Sequence, residues 1–379
     1  MALVSSTQFR DDTRISSGRK LLLRLHIDLP LVLGLLALAG LGLVALYSAG
    51  NQDIDLIYRQ LVRLGVGFAV MFTLAQVAPR TLASWSLWLY AAGLVLLVAV
   101  LLLGDVGKGA QRWLNLGLFT FQPSEIMKIA VPLMIAWYLS ETALPPPGRR
   151  LLIASVILVV PTLLIARQPD LGTALLIASS GFLVLFLAGL RWRLLFSLLV
   201  LIAVTAPLAW HFLLHEYQRR RVLTFINPEN DPLGAGYHII QSMIAIGSGG
   251  LYGKGWLNGT QSHLDFLPER STDFIFAVYA EEFGFIGVLL LLVVYAAIIG
   301  RGMVIALDAQ DTFTRLLAGS LTLTFFVYVF VNIGMVSGIL PVVGLPLPLV
   351  SYGGTSMVTL MAAFGILMSV HTHRKLIAT

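Results

Sequence analysis

The feature that most constrains this chain is a recurring run of apolar residues, each about twenty long, enough to cross the hydrocarbon core of a bilayer as helix. The runs begin at Pro30 and fill most of the 379 residues. They are continuous rather than alternating, which predicts helices and not a barrel. With 58% hydrophobic and only 12% charged residues, the chain falls well below the quarter or so of charged residues usual in a soluble domain. The predicted fold is therefore all-α and polytopic, with spans at 30–49, 60–78, 82–104, 122–140, 151–167, 170–189, 192–213, 273–300, 313–338 and 348–370, about ten helices.

The basic residues give the predicted orientation. A polar tail (1–27) carrying Arg10, Arg14, Arg19, Lys20 and Arg24 precedes the first span, which predicts a cytoplasmic N-terminus. The first run is long and has no small-residue cleavage site, so it reads as a retained span rather than a signal peptide. Arg80, Arg149, Arg150, Arg191, Arg193, Arg301 and Arg315 then fall in inner segments, as do Arg374 and Lys375. Both termini are expected inside, around one membrane domain (28–373) and a short tail (374–379). Two polar segments remain outside, 105–121 and the long loop 214–272 between the seventh and eighth spans. Recognition chemistry is expected there.

The chain has no cysteine and a net charge of +6. Disulfides, thiolate metal sites and thiol nucleophiles are excluded, which leaves carboxylates, amines and guanidiniums. The positive charge suits anionic head groups or pyrophosphate, or simply orients the helices. No nucleic-acid partner is expected. The glycines around Lys254 lack the spacing of a phosphate loop for nucleotides, although their amides could embrace a pyrophosphate. His371 and His373 lack further ligands for a metal.

One acid stands out. In FLPERSTDF (266–274) a polar loop turns into an apolar helix, with Asp273 expected in its first turn. A carboxylate at that depth marks a functional site, or else it complements the helix N-terminus beside a Ser271 or Thr272 cap. Arg112 and Trp113 set a bidentate phosphate ligand and an indole at the outer interface, where they could equally be anchors. Glu125 and Lys128 share a helix face, as a plain ion pair or as the lining of a polar cavity. Asp170 reads as a helix cap. Arg219, in a basic run, and Lys254 are further phosphate candidates. Residues 236–247 fit a short interfacial helix. Glu281 and Glu282 sit deep in the eighth span, Glu281 about two turns beyond Asp273 and so on roughly its face; buried acids could also relay protons in a transporter. The loop 341–356 is apolar without being regular helix, and would form a gate or the wall of a groove for a lipid tail.

The stretches KGAQRWL, FQPSEIMKIA, QPDLGTALL, DPLGAGYHIIQS, GKGWLNGTQS, LDFLPERSTDFIFAV, AEEFGFIG and LPLPLVSYGGTS together resemble the SEDS family (shape, elongation, division, sporulation), in order and over nearly the whole chain. The short N-terminal tail and the HTHRK ending favour its elongation branch over the division branch. The resemblance implies a peptidoglycan glycosyltransferase that polymerises lipid II at the outer face of the cytoplasmic membrane. It implies Asp273 as the catalytic base, deprotonating the acceptor sugar hydroxyl that displaces undecaprenyl pyrophosphate with inversion. Arg112, Lys128, Arg219 and Lys254 are the candidates to hold the leaving pyrophosphate, a task a divalent cation could share. The implied partners are lipid II, the nascent glycan strand, membrane lipids and a class B penicillin-binding protein, whose single membrane helix is expected to pack against the last two spans. A flippase of polyprenyl-linked cell-wall precursor is the rival reading, favoured by buried Glu125, Lys128, Glu281 and Glu282.

Overall fold

The computed structural model describes residues 25–373 apart from 108–109, 116–119, 213–215, 231–233 and 264–268. Lys108, residues 266–268 and the basic tails discussed above lie outside the described residues. The chain is an all-α polytopic membrane protein. Its helices are α1 (Leu29–Ala49), α2 (Ile54–Ala75), α3 (Pro79–Leu103), α4 (Pro123–Ser140), α5 (Gly148–Arg167), α6 (Leu171–Leu187), α7 (Trp192–Phe212), α8 (Glu216–Ile226), α9 (Ala235–Ser248), α10 (Thr260–His263), α11 (Ile275–Leu307), α12 (Thr312–Val336) and α13 (Thr355–Thr372). Seven of these, namely α1, α2, α3, α5, α11, α12 and α13, are long and apolar enough to cross a membrane, and α6 and the first part of α7 are shorter apolar helices. Segment 105–121, expected only as a polar outer loop, forms an antiparallel ribbon of β1 (Asp105–Gly107), β2 (Ala110–Asn115) and β3 (Thr120–Phe121).

Local chemistry starts the helices. The carboxylates of Asp28, Asp53, Asp170 and Asp311 cap α1, α2, α6 and α12 by accepting from Leu31, Asp55, Thr173 and Thr314 amides. Each such cap contributes about 1 kcal/mol. α3 and α4 open with Pro in the first turn, where the missing N–H has no partner to lose. Asp170 is thus the cap the spacing predicted.

Three boundaries differ from the sequence expectation. α2 starts at Ile54 rather than 60, because Asp55 and Arg59 depress the hydropathy of a segment that is nevertheless helical; Gln60 is buried and donates to the Ser351 carbonyl at 3.2 Å. α13 starts at Thr355 rather than 348, since Pro346 and Pro348 lack amide donors and Leu349 takes φ +61°. α11 runs on to Leu307 and is interrupted at Gly284.

The core has two lobes. One gathers α1, α2, α11, α12 and α13, the other α3 to α6 with α12 and Ile366 of α13. α12 belongs to both, and 72% of its span is buried. Between membrane helices apolar burial is a weak drive, so close approach through small residues takes its place. α2 and α13 use it reciprocally: Gly67 lies against Met361, and a Cβ at Gly365 would come within 2.4 Å of the Met71 carbonyl oxygen.

The two ends of the described chain meet at one end of the bundle. There buried Asp28 receives Arg301 at 2.5 Å and His371 at 3.4 Å. His26 stacks on His373 with ring centroids 4.0 Å apart and bonds Thr372 at 2.8 Å. Burial, and then the neighbouring His373, hold the His26 imidazole below its ordinary 6.5. The unfolded chain therefore binds this proton more readily than the folded one. The contribution is fully present above pH 6.5 and drains as pH falls from there through the lowered folded value. Melting curves from about pH 7.5 to about pH 5 should show Tm falling on acidification, with a shallower fall in His26→Gln; equal slopes would refute this.

Candidate active site

Asp273 is half-buried and lies just ahead of α11, not in its first turn. The expected Ser271 or Thr272 cap is not formed. Phe274 takes the cap position without a side-chain bond, and the Thr272 hydroxyl turns to Glu269 instead. The backbone of this segment is suspended from its neighbours. Buried Asn332 of α12 donates to the Asp273 carbonyl at 3.0 Å and to the Leu345 carbonyl at 2.6 Å. The Ser351 hydroxyl donates to the Thr272 carbonyl at 2.6 Å, and the Tyr352 amide to that of Ser271 at 2.8 Å. Gly344, at φ +72°, has no side chain to fill the space beside the carboxylate: a Cβ there would stand 3.5 Å from Asp273 Oδ2. A non-helical loop deep in a membrane protein needs such pairing, and residues 341–354 obtain part of it from Asn332 and from the Ser271 and Thr272 carbonyls just ahead of Asp273.

The same loop borders a groove of about 590 Å³ between α2, α3, α4 and α13, in the range of small-molecule sites. Its walls are apolar, with Leu89, Ile129, Leu133 and Val358 among them. Val62, Val66 and Trp85 on its rim are exposed on the lipid-facing flank. Polar residues in its lining include Arg63, Glu125 and Thr355. The Arg63 guanidinium lies 4.2 Å from the Tyr352 ring. Tyr352 is thus the joint between groove and carboxylate: its ring carries Arg63, and its amide bonds the residue two before Asp273. Glu125 is 5% exposed, and its Oε2 has no hydrogen-bond partner among the described residues. A buried acceptor left open in a groove lining is a place for a donor from a bound molecule.

Lys128 is inside the bundle rather than among the groove-lining residues. It bonds Glu125 Oε1 at 2.7 Å and the Tyr328 hydroxyl at 2.8 Å. The two sequence readings of the pair are therefore both partly right, since the ion pair exists and Glu125 alone faces the groove. Arg112 donates to the Pro169 carbonyl at 2.7 Å and lies 3.8 Å from Asp170, which also accepts from Gln122 at 3.1 Å. These contacts pin the ribbon to the turn between α5 and α6, with Trp113 half-buried opposite Asp105. Arg112, Glu125 and Lys128 thus sit around the two ends of one short connection, residues 112–128. Arg219 is half-buried on α8. Lys254 is elsewhere, paired to Glu281.

Glu281 is fully buried, and its Oε1 accepts from Lys254, Thr260 and the Gln261 amide. Buried Glu282 accepts from Ser48 in a short hydrogen bond. Among the described residues no three His, Asp or Glu converge as a cation cage. Arg63, Asn332 and Tyr352 were missed by the sequence reading. A lone Arg in an apolar run is itself a functional signal, but Arg63 lay near a span boundary that was drawn too late.

Residues 20–376 match the family described as FTSW_RODA_SPOVE, Cell cycle protein. The chain belongs to this family. Members similar to it include the peptidoglycan glycosyltransferase MrdB of Escherichia coli (strain K12), 57% identical over 94% of this chain and 96% of that one. The stage V sporulation protein E of Bacillus subtilis (strain 168) is 37% identical over 92% and 98% of the two chains. Among solved structures, a chain described under "Structural coordination of polymerization and crosslinking by a peptidoglycan synthase complex" superposes with TM-score 0.81 at 37% identity, covering 92% of this chain and 98% of that one. The rod shape determining protein RodA of Thermus thermophilus gives 0.69 at 32%, over 92% and 98%. The SEDS resemblance read from the motifs, and its elongation branch, agree with these matches.

Proposed function

We propose that the chain is a peptidoglycan glycosyltransferase that polymerises lipid II, with the polyprenyl tail in the apolar groove and the sugars beside Asp273. The observation that carries this reading is the coupling, through Tyr352, of a lipid-flanked groove carrying Arg63 to a suspended carboxylate. An enzyme acting on a lipid-linked sugar needs those two places side by side. The Asp273 carboxylate removes the proton of the acceptor hydroxyl as that oxygen bonds the donor anomeric carbon. The anomeric C–O bond breaks, and its electron pair leaves on undecaprenyl pyrophosphate. Fixed cations strengthen their hold as that charge develops; Arg63 heads the candidates, followed by Arg112, which still has a buried Nε without a hydrogen-bond partner among the described residues.

Reaction at the outer face of the cytoplasmic membrane, during elongation, is part of the same proposal. It is supported by the basic residues expected on the inner side, among them Arg301 near the far end of the helix that follows Asp273. A class B penicillin-binding protein is the proposed partner, supported by the synthase-complex description of a similar structure. The flippase reading rested on buried acids lining a path. Of the four residues that favoured it, Glu281 is paired with Lys254, Glu282 accepts from Ser48 and Lys128 is paired with Glu125, which leaves Glu125 as the one that lines the groove.

The test is to give the purified chain, with its class B partner, labelled lipid II. Glycan chains longer than the disaccharide should form, and Arg63→Ala should raise KM or lower kcat by about tenfold, the loss of one charge-assisted contact. Transbilayer movement of lipid II with no polymer formed would overturn the reading.

A further inference from the structure

Lys254 and Glu281 lie outside the contacts around Asp273, at a join between α11 and the segment 249–261 that many hydrogen bonds cross. α11 is broken at Gly284, which takes φ 62° and ψ −164°. The segment from Ile275 to Glu282 is buried throughout, and the strap 249–261 closes over its far end. Main-chain groups make the join: Lys254 N donates to Glu281 O and Gly255 N to Glu282 O, both at 3.0 Å, while Phe285 N and Ile286 N return to Gly250 O and Leu251 O at 2.9 and 3.1 Å. These bonds satisfy carbonyls and amides that the break in the helix leaves open. The backbones touch so closely that a Cβ on Gly253 would lie 2.0 Å from the Glu282 oxygen, and one on Gly284 would lie 2.2 Å from Gly253 N. Side chains lock the join. Lys254 Nζ is 2.7 Å from Glu281 Oε1 and from the Thr260 hydroxyl, which itself donates to Glu281 at 3.0 Å. Trp256 fastens the strap to the Val44 carbonyl of α1 at 3.2 Å.

The half-helix is therefore held at both ends. Asn332, Ser351 and Tyr352 grip the end that carries Asp273, and the strap grips the other. A short helical rod fixed in this way transmits any axial slip at one end to the other. We propose that Lys254 and Glu281 are positioning residues for the transfer reaction: their ion pair locks the strap onto the half-helix and so sets the height of the Asp273 carboxylate above the bundle. This assignment rests on Asp273 being the base, and it gives Lys254 a task other than binding pyrophosphate.

The experiment compares Lys254→Gln, Glu281→Gln, the double variant and Lys254→Arg in lipid II polymerisation with the class B partner present, with Asp273→Ala alongside. Misplacing a reacting group by about 1 Å costs up to about 10²-fold. Each single Gln variant should lose kcat on that scale with KM unchanged. The double variant should fall no further than the singles, as two halves of one contact do, and Lys254→Arg should keep most activity. The acid limb of the pH profile, which reports the free base, should move in the Gln variants; a smaller folded fraction alone would leave it in place. An unmoved limb, unchanged kcat, or a raised KM in Lys254→Gln that adds to the effect of Glu281→Gln overturns the proposal. If Asp273→Ala polymerises at full rate, the underlying reading fails. If Asp273 is essential but the clasp variants behave as in the overturning cases, only the positioning role fails.

Discussion

Asp273→Ala should abolish glycan polymerisation by the purified protein while leaving it folded and able to bind lipid II. General-base assistance contributes about 10² to 10⁴-fold to a rate, so kcat should fall by that factor with little change in KM. The fold should survive because the neighbouring bonds use the Asp273 carbonyl and the Thr272 and Ser271 backbone. Asp273→Asn is the sharper variant. It keeps the shape of the side chain and its place beside Gly344, and removes only basicity. A chain that served as a scaffold would tolerate it, and a chain that uses the carboxylate to take a proton would not. Polymer lengths and initial rates measured with radiolabelled lipid II decide between the two, and normal turnover in either variant would end the assignment.

The second large effect is on stability. Glu125→Ala leaves the Lys128 ammonium buried with the Tyr328 hydroxyl as its one remaining hydrogen-bond partner among the described residues. Breaking a buried pair by removing one partner costs about 3–5 kcal/mol, because the remaining charge is uncompensated. The Tm of Glu125→Ala in detergent should drop by many degrees. Lys128→Met together with Glu125→Gln should recover much of that loss, since neither position then carries a charge. Polymerisation should not recover with stability, because Glu125 Oε2 is a groove acceptor and its replacement changes what the groove can bind. A double variant as unstable as the single one would show that the stranded ammonium is not the cause of the loss.

Much of this architecture was legible before any coordinates. Continuous apolar runs located the helices, the Asp170 cap followed from its position ahead of an apolar run, and the motif at Asp273 marked the segment proposed as the site. The errors have physical causes. Asp55 and Arg59 interrupt the apolar run over the first turns of α2, so the expected span opens at 60; Arg63 lies inside that span, and hydropathy alone does not single it out. Residue spacing alone put Glu281 on the same face as Asp273, but it says nothing about a strap that folds over one of the two. The ribbon at 105–121 was missed because its strands are only 3, 6 and 2 residues long, too short for period-two alternation to register. Asn332 is a single polar residue in an apolar helix, and its importance comes from which two carbonyls lie within reach.

The groove has one further consequence. If the groove holds the polyprenyl tail as proposed, the exposure of Val62, Val66 and Trp85 on its rim means that a tailed molecule would arrive sideways, by diffusion within the plane of the bilayer, without crossing water. Occupancy is then governed by the mole fraction of that molecule among its neighbours, a two-dimensional quantity. Adding inert phospholipid at constant bulk molarity should slow the protein as surely as withholding substrate.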